Sequence, residues 1–358
     1  MKKFNKSLLI SSTPLLFAPL IATSCNLSET INGNKYVQLR SNTLIELNIP
    51  DHVTEIEPTA LFLRSKLEKV TSKNIAILPK DLFRSGKDNI GANSSLKEVS
   101  FKAVKAIENE TFKGLINLEK VDMPLVTEIG DSAFENTPKL SSLFVSPITK
   151  LGKNAFKGAK SLIQFPALTN QITELAEGVF SETALTEFSN ENIIAIGNAA
   201  FKNSKIEKII APKVAKIGKE ALMSQSLKEI KFSENAQFDP LAFGSNSTKA
   251  PQALFDKDGL LTINHTLFLI NKDKATSLIK TETRKVKEKD SEKEKEVTFT
   301  TFTLPSEITT INVEAFNQHR NKFNKLIAKG VKISDQKQLD EFKKKLNSLG
   351  ITEIELAQ

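Results

Sequence analysis

One pattern recurs along this chain and constrains its fold more than any other feature. The segments VTEIGDSAFENTPKLSSLFV (126–145), ITKLGKNAFKGAKSLIQFPA (148–167), ITELAEGVFSETALTEFSN (172–190), IIAIGNAAFKNSKIEKIIAP (193–212) and VAKIGKEALMSQSLKEIKF (214–232) align without gaps at their centres. The shared pattern is apolar-x-x-apolar-Gly-x-x-Ala-Phe, then four or five residues, then Leu-x-x-apolar-x-apolar, with Ala176 and Val179 replacing Gly and Ala in the third segment, Ile206 replacing Leu in the fourth and Leu222 replacing Phe in the fifth. The Phe position runs Phe112, Phe134, Phe156, Phe180, Phe201, Leu222, Phe243, in steps of 22, 22, 24, 21, 21 and 21. A period near 22 cannot hold a whole domain. It specifies one supersecondary unit that buries its apolar face only by stacking on its neighbours.

The chemistry of one unit is readable. Leu118-x-x-Val121-x-Met123 alternates like a short strand, and Pro124 stops its pairing. Gly130, Gly152, Gly197 and Gly218 stand where the chain turns. A short helical or 3-10 piece is predicted next, with Ala133, Ala155 and Ala200 small enough for coils to approach. The Phe column is predicted to stack as a ladder inside. Upstream, 44–62 and 75–83 fit the pattern loosely. Leu82 is placed in the Phe column, and SGKDNIGANSS (85–95) is read as an insertion. Downstream, LPSEITTINVEAF (304–316) restarts the pattern, which gives about ten units in all.

VTEIGDSAF (126–134), IGNAAF (196–201) and LPSEITTINVEAF resemble the BspA-type leucine-rich-repeat family of bacterial surface proteins over roughly residues 44–330. The resemblance implies an α/β solenoid: a curved parallel-stranded array with short helical or 3-10 segments. It implies no catalytic site, and the Asn/Cys ladder of the commoner leucine-rich repeats is missing. The array is assigned to 44–252 and its last repeat to 304–333.

Between them, 253–303 is predicted as a β-hairpin insertion, with LLTIN and TLFLI as strands. Similar inserts occur in this family. Residues 280–296 carry seven basic and six acidic side chains, which predicts a solvated loop or extended hairpin tip and not a polyanion-binding arm. At the C-terminus (334–358), Leu339, Phe342, Leu346 and Leu349 fall at helical spacing before an alternating strand. A helix–strand cap is predicted, with Ser334 or Asp335 at the start of the helix and Gly350 at its end.

The N-terminus has its own logic. Lys2, Lys3 and Lys6 precede a largely apolar stretch, Ser7 to Ile21, broken by Pro14 and Pro19 and therefore a poor membrane span. Ala22-Thr23-Ser24 then leads to Cys25, the single cysteine of the chain. This resembles a bacterial lipoprotein signal, although Ala22 stands where Leu is commoner. The resemblance implies a signal peptide at 1–24, cleavage between Ser24 and Cys25, diacylglycerol on the Cys25 thiol, and a lipid-anchored protein on the outer face of the cell membrane. An ordinary secretory peptide with a chance cysteine, or an uncleaved anchor, are the alternatives. Residues 25–43 are polar and read as a short tether or an entry segment to the array. No Trp, one Tyr and abundant Lys, Asn, Ile and Phe suit an AT-rich genome such as that of the mycoplasma-like bacteria.

Composition excludes several function classes. One Cys and three scattered His leave no disulfide framework and no metal site of the zinc type. No P-loop, His-Glu-x-x-His or Gly-x-Ser-x-Gly string occurs. Asp256-Lys257-Asp258-Gly259 starts like an EF-hand loop, but His265 stands where the closing Glu belongs. The chain is therefore read as no enzyme, with no cofactor and no metal. The formal charge of +8 invites a nucleic-acid reading, which its distribution opposes. Three lysines lie in the signal, and residues 320–345 hold nine basic against three acidic residues. Nucleic acid is thus not a predicted partner; any attraction to an acidic surface is assigned to Lys322–Lys345.

The useful surface is the exposed face of the stacked strands. One outward column is Glu98, Lys120, Ser142, Gln164, Glu187, Lys208, Glu229. The other is Ser100, Asp122, Phe144, Pro166, Ser189, Ile210, Lys231. Apolar residues on a polar face mark contact sites, so Phe144, Pro166 and Ile210 form the candidate patch for a host or neighbouring surface protein, with adhesion as its expected use. A structural or antigenic coat protein, or an accessory lipoprotein of an enzyme or transport complex, are the rival readings.

Overall fold

The computed structural model describes residues 29–61, 64–79, 82–83, 95–287 and 294–357. The predicted signal segment with Ser24 and Cys25, nearly all of the 85–95 insertion, and residues 288–293 lie outside them. The chain forms a parallel-stranded solenoid.

Most coils contribute a longer and a shorter strand. The longer ones, Glu46–Asn48, Lys69–Ser72, Glu98–Phe101, Lys120–Met123 and Ser142–Val145, build a five-stranded parallel sheet. Glu187–Ser189, Lys208–Ile210 and Glu229–Lys231 build a second sheet of three. Register follows the repeat, with Val99 beside Val121 and Val121 beside Leu143. Equivalent side chains of successive coils therefore stack. The two-residue strands, such as Glu128–Ile129 and Lys216–Ile217, pair in the same way further along each coil.

The aromatic ladder is present. Phe112, Phe134 and Phe156 are fully buried, with ring centroids 5.2 and 5.1 Å apart and planes within 12° of parallel. Phe180 and Phe201 continue it at 6.2 and 5.8 Å. At the upstream end the ladder residue is Phe83, not Leu82; Phe83 stacks on Phe112 at 5.2 Å. Both are buried, and adjacent apolar residues look alike to a period count.

At Phe316 the predicted short helical or 3-10 piece is present as the 3-10 segment Val313–His319, but from Phe112 to Phe201 the piece around each Phe is not helical. It is a run of turns with left-handed residues two before and two after the Phe: Ser132 and Asn136 about Phe134, Ala199 and Asn203 about Phe201. Positive φ is incompatible with a right-handed helix. The backbone instead bonds between coils. Ser132, Phe134 and Asn136 donate their N–H groups to the carbonyls of Lys153, Ala155 and Lys157 at 2.8 Å. The same rungs recur at Asn154, Phe156 and Gly158. The alanines face this close approach and are fully buried.

A second device locks the turns. The side chains of Asn109, Asp131 and Asn198 accept hydrogen bonds from the N–H groups of Asp131, Lys153 and Lys219 in the following coil. A Cβ at Gly130 would lie 2.6 Å from the Asn109 backbone nitrogen, so the glycine column makes room for these acceptors. The array thus has a short Asx ladder of its own in place of the missing Asn/Cys ladder.

Residues 29–39 are an entry segment to the array and not a free tether. Glu29–Asn32 and Lys35–Leu39 form an antiparallel hairpin, and its second strand pairs in parallel with Glu55–Ile56. Tyr36 and Leu39 are fully buried, so this polar-looking segment carries enough apolar surface to join the first coil.

The insertion is two hairpins. Leu260–Ile263 and Thr266–Ile270 turn through Asn264 and His265, both at positive φ as a tight two-residue turn requires. Ile279–Lys287 and Glu294–Thr303 form a long ribbon, so most of the charge run is strand and not loop. Thr266–Ile270 joins two parts of the core. Phe268 and Leu269 pack with the array, whereas Leu267 and Ile270 pack with the C-terminal part.

The helix Gln336–Ser348 starts with the Asp335 side chain accepting from the Gln338 N–H and ends at Gly350 with φ 91°. Glu353–Leu356 then pairs in parallel with Lys325–Ala328. Such a cap covers the apolar end that a stack of coils leaves open.

Candidate functional site

On the face of the longer strands, register turns sequence columns into side-chain ladders. Lys69 and Lys120 flank Glu98 at 3.4 and 3.2 Å. Burial pushes the Glu98 carboxyl up, but the hydrogen bonds and charges of Lys120 and Lys69 outweigh it and hold the carboxyl below its ordinary range. Lys208 pairs with Glu229 at 2.9 Å, and Lys102 with Asp122. Opposite charges on neighbouring strands support pairing, and on this face they also repel apolar contact.

The alternation stops at Ser142 and Gln164, and the backbone ladder breaks at the same place. Ser142 donates its N–H to Glu119 in the preceding coil. In a parallel ladder Leu143 and Val145 therefore turn their backbone groups toward the following coil. There the register position that should donate is Pro166, which has no N–H. Among the described residues no backbone hydrogen bond joins 142–145 to 163–167, and 163–167 is not a strand. Phe165 is drawn inward instead, its ring 5.1 Å from Phe156 and 4.9 Å from Phe180. The ladder resumes at Glu187–Ser189.

The seam leaves an open groove of about 350 Å³. Phe144 and Pro147 form one wall, and Gln164, Pro166 and Ala167 the other. Phe144 is 61% exposed and Ile163, in the following unit, 58%. The structure thus brings Phe144 and Pro166 together and leaves Ile210 apart. Ile210 is half-buried in the second sheet, between Ser189 and Lys231. Pro166 is also only half-exposed. The column reading missed Ile163; its signal was an apolar residue following the position of Ser141 in the previous coil.

Other groups with perturbed chemistry serve the fold. Asn109 and Asp131 line an open hollow with Glu108 and Glu110, but Asn109 and Asp131 spend side-chain oxygens on backbone N–H groups. The Asp256 carboxylate accepts from the N–H groups of Asp258 and Leu260, which makes the EF-like string a turn. His319 is buried with Nε2 3.1 Å from the Ile270 carbonyl oxygen. Among the described residues no group of His, Cys, Asp and Glu is arranged to hold a metal ion, and no helix is long and apolar enough to cross a membrane.

Among curated proteins no sequence matches. Three solved structures are similar in part. A leucine rich cell surface protein from Faecalibacterium prausnitzii A2-165 shares 18% identity over 57% of this chain and 86% of its own, with a TM-score of 0.24. A leucine-rich repeat protein from Bacteroides ovatus ATCC 8483 shares 17% over 58% and 75%, at 0.28. The T. pallidum Leucine Rich Repeat protein shares 15% over 57% and 75%, at 0.27. The family model for the BspA type leucine rich repeat region matches residues 87–194 and 163–268 with six copies. With that match over half its length, and the repeat register seen in the structure, the chain belongs to the BspA type leucine rich repeat family.

Proposed function

We propose that this chain is a surface-displayed recognition protein, anchored to the outer face of a cell membrane by diacylglycerol on Cys25, which binds a protein partner in the groove between Phe144 and Pro166. The observation that supports the reading is a coincidence. The groove lies where the charge ladder and the backbone ladder stop together, so an exposed aromatic ring stands at the edge of the charged face, with Asp122 beside it in register on one side and, on the other, an uncharged groove whose backbone donors and acceptors no strand occupies. Such a setting has the character of an interface centre, where anchors lie in a locally apolar patch with a polar rim. Adhesion to a host surface is the use this proposal assigns to the interaction.

The test is saturable binding of soluble residues 26–358 to a panel of extracellular and neighbouring surface proteins. Truncating one anchor of this kind costs about 2 kcal/mol, or roughly 30-fold in Kd. Phe144→Ala is expected to lose that much, and Ile210→Ser at the margin much less. Saturable binding that Phe144→Ala leaves unchanged removes the groove from the mechanism. No saturable binding to any member favours a coat component without a ligand.

A further inference from the structure

Along the array, lysines of one coil meet acids of a neighbouring coil, as Lys120 meets Glu98 and Lys228 meets Glu207. Around the C-terminal end of the final helix this pairing ceases. Arg320, Lys322, Lys343, Lys344 and Lys345 are exposed, and none makes an ion pair among the described residues. The ion pairs of this region use Arg284, Lys325 and Lys329 instead. The fold brings the five together. The Asn321 N–H donates to the Leu349 carbonyl at 2.7 Å, so residues 320–322 abut the last helical turn. Lys343, Lys344 and Lys345 are 100° apart on the helix and fan over its solvent side. One lysine there would satisfy the helix dipole. The acids nearby are Asp340 and Glu341 on the helix and Glu314, which shares a groove wall with Lys345.

We propose that this cationic end of the solenoid binds a sulfated polysaccharide. Charge complementarity calls for a polyanion, and the surroundings select among polyanions. The apolar side of the helix is turned inward, with Leu346 and Leu349 buried against the C-terminal core, so no apolar face is left to enter a bilayer. Phe323 is buried and Phe342 packs on the same core, so the aromatic platforms on which single-stranded nucleic acid stacks are occupied. Flexible lysine point charges suit sulfates strung along a mobile chain. The site is separate from the Phe144 groove, and either reading can fail alone.

The experiment uses the soluble chain, residues 26–358, with heparin as probe. Five cation–sulfate contacts predict a slope of log K against log salt of about −3 to −4, a weakening of roughly 100-fold between 50 and 200 mM. Lys322→Gln/Lys343→Gln/Lys344→Gln is expected to lower the slope by about 2 units with an unchanged circular dichroism spectrum. Lys105→Gln/Lys160→Gln/Lys213→Gln, an equal charge change on exposed lysines of the array, is expected to leave it unchanged, as is Phe144→Ala. An equal loss in the array variant, an unchanged slope in the cap variant, or binding to phosphatidylserine vesicles or oligo-dT as strong as to heparin overturns the proposal.

Discussion

If the buried rings act as an energetic ladder, Phe134 is the rung to remove. It is fully buried and stacks on both neighbours, Phe112 at 5.2 Å and Phe156 at 5.1 Å. Phe134→Leu keeps a branched apolar side chain, as the natural Leu222 does in the same column. The variant loses two stacked contacts, each worth about 0.5–1.5 kcal/mol beyond buried area. A partial cavity adds about 1 kcal/mol. The expected cost is about 2–4 kcal/mol, read as a fall in the urea midpoint with an unchanged slope. The sharper reading is a pair of double-mutant cycles. Phe134→Leu with Phe156→Leu removes one shared contact twice, so the two should couple by about 1 kcal/mol. Phe134→Leu with Phe201→Leu shares no contact and should be additive within about 0.5 kcal/mol. Equal coupling energies in the two cycles would refute the stacked-ring account and reduce the column to generic apolar volume.

Four further outcomes can be stated. Gly130→Ala, whose new Cβ meets the Asn109 backbone, should cost about 1–3 kcal/mol, whereas Gly33→Ala meets open space and should cost only the strain of its positive φ, about 1 kcal/mol; thermal unfolding of both separates steric from backbone effects. Stability should be flat above pH 6.5 and fall as the pH drops below it, because burial, opposed only in part by the Ile270 carbonyl, holds the His319 imidazole below its ordinary 6.5 while the unfolded chain takes up the proton; Lys272 and Asp273 are the charges nearest it, and urea midpoints at pH 7.5, 6.0 and 5.0 should lose that first step in His319→Gln. For Glu135, burial raises the carboxyl, but hydrogen bonds from Lys113 and Ser132 and the charges of Lys113 and Lys157 bring it below 4.5, so its contribution is present above that pH and is lost on further acidification. Cys25→Ser should abolish incorporation of labelled fatty acid and move the chain from the detergent phase to the aqueous phase in a cloud-point separation; persistent labelling would place the lipid elsewhere.

The ladder, the strand register and the cap were all legible in the sequence, because each rests on a period. A residue that recurs every 21 or 22 positions must stack if one coil follows another, which placed Phe134 beside Phe156 and Val121 beside Leu143 without a structure. The helix–strand cap was legible for the same reason, from Leu339, Phe342, Leu346 and Leu349 at helical spacing. Features decided by what lies across space were not legible. The turns around the column from Phe112 to Phe201 are left-handed because their N–H groups bond to the next coil, and no local propensity at Ser132 or Ala199 announces that. Residues 29–39 read equally as a tether or an entry segment because their few apolar side chains gain value only against the first coil. The candidate site divides along the same line. Phe144 in an outward column could be read directly, as could Pro166 beside it. That Pro166 lacks the donor its register position requires, that the sheet opens there, and that Ile210 belongs to a different sheet depend on which backbone groups face which neighbour. Periodicity determines which residues meet; only the folded backbone decides which of them remain unpaired.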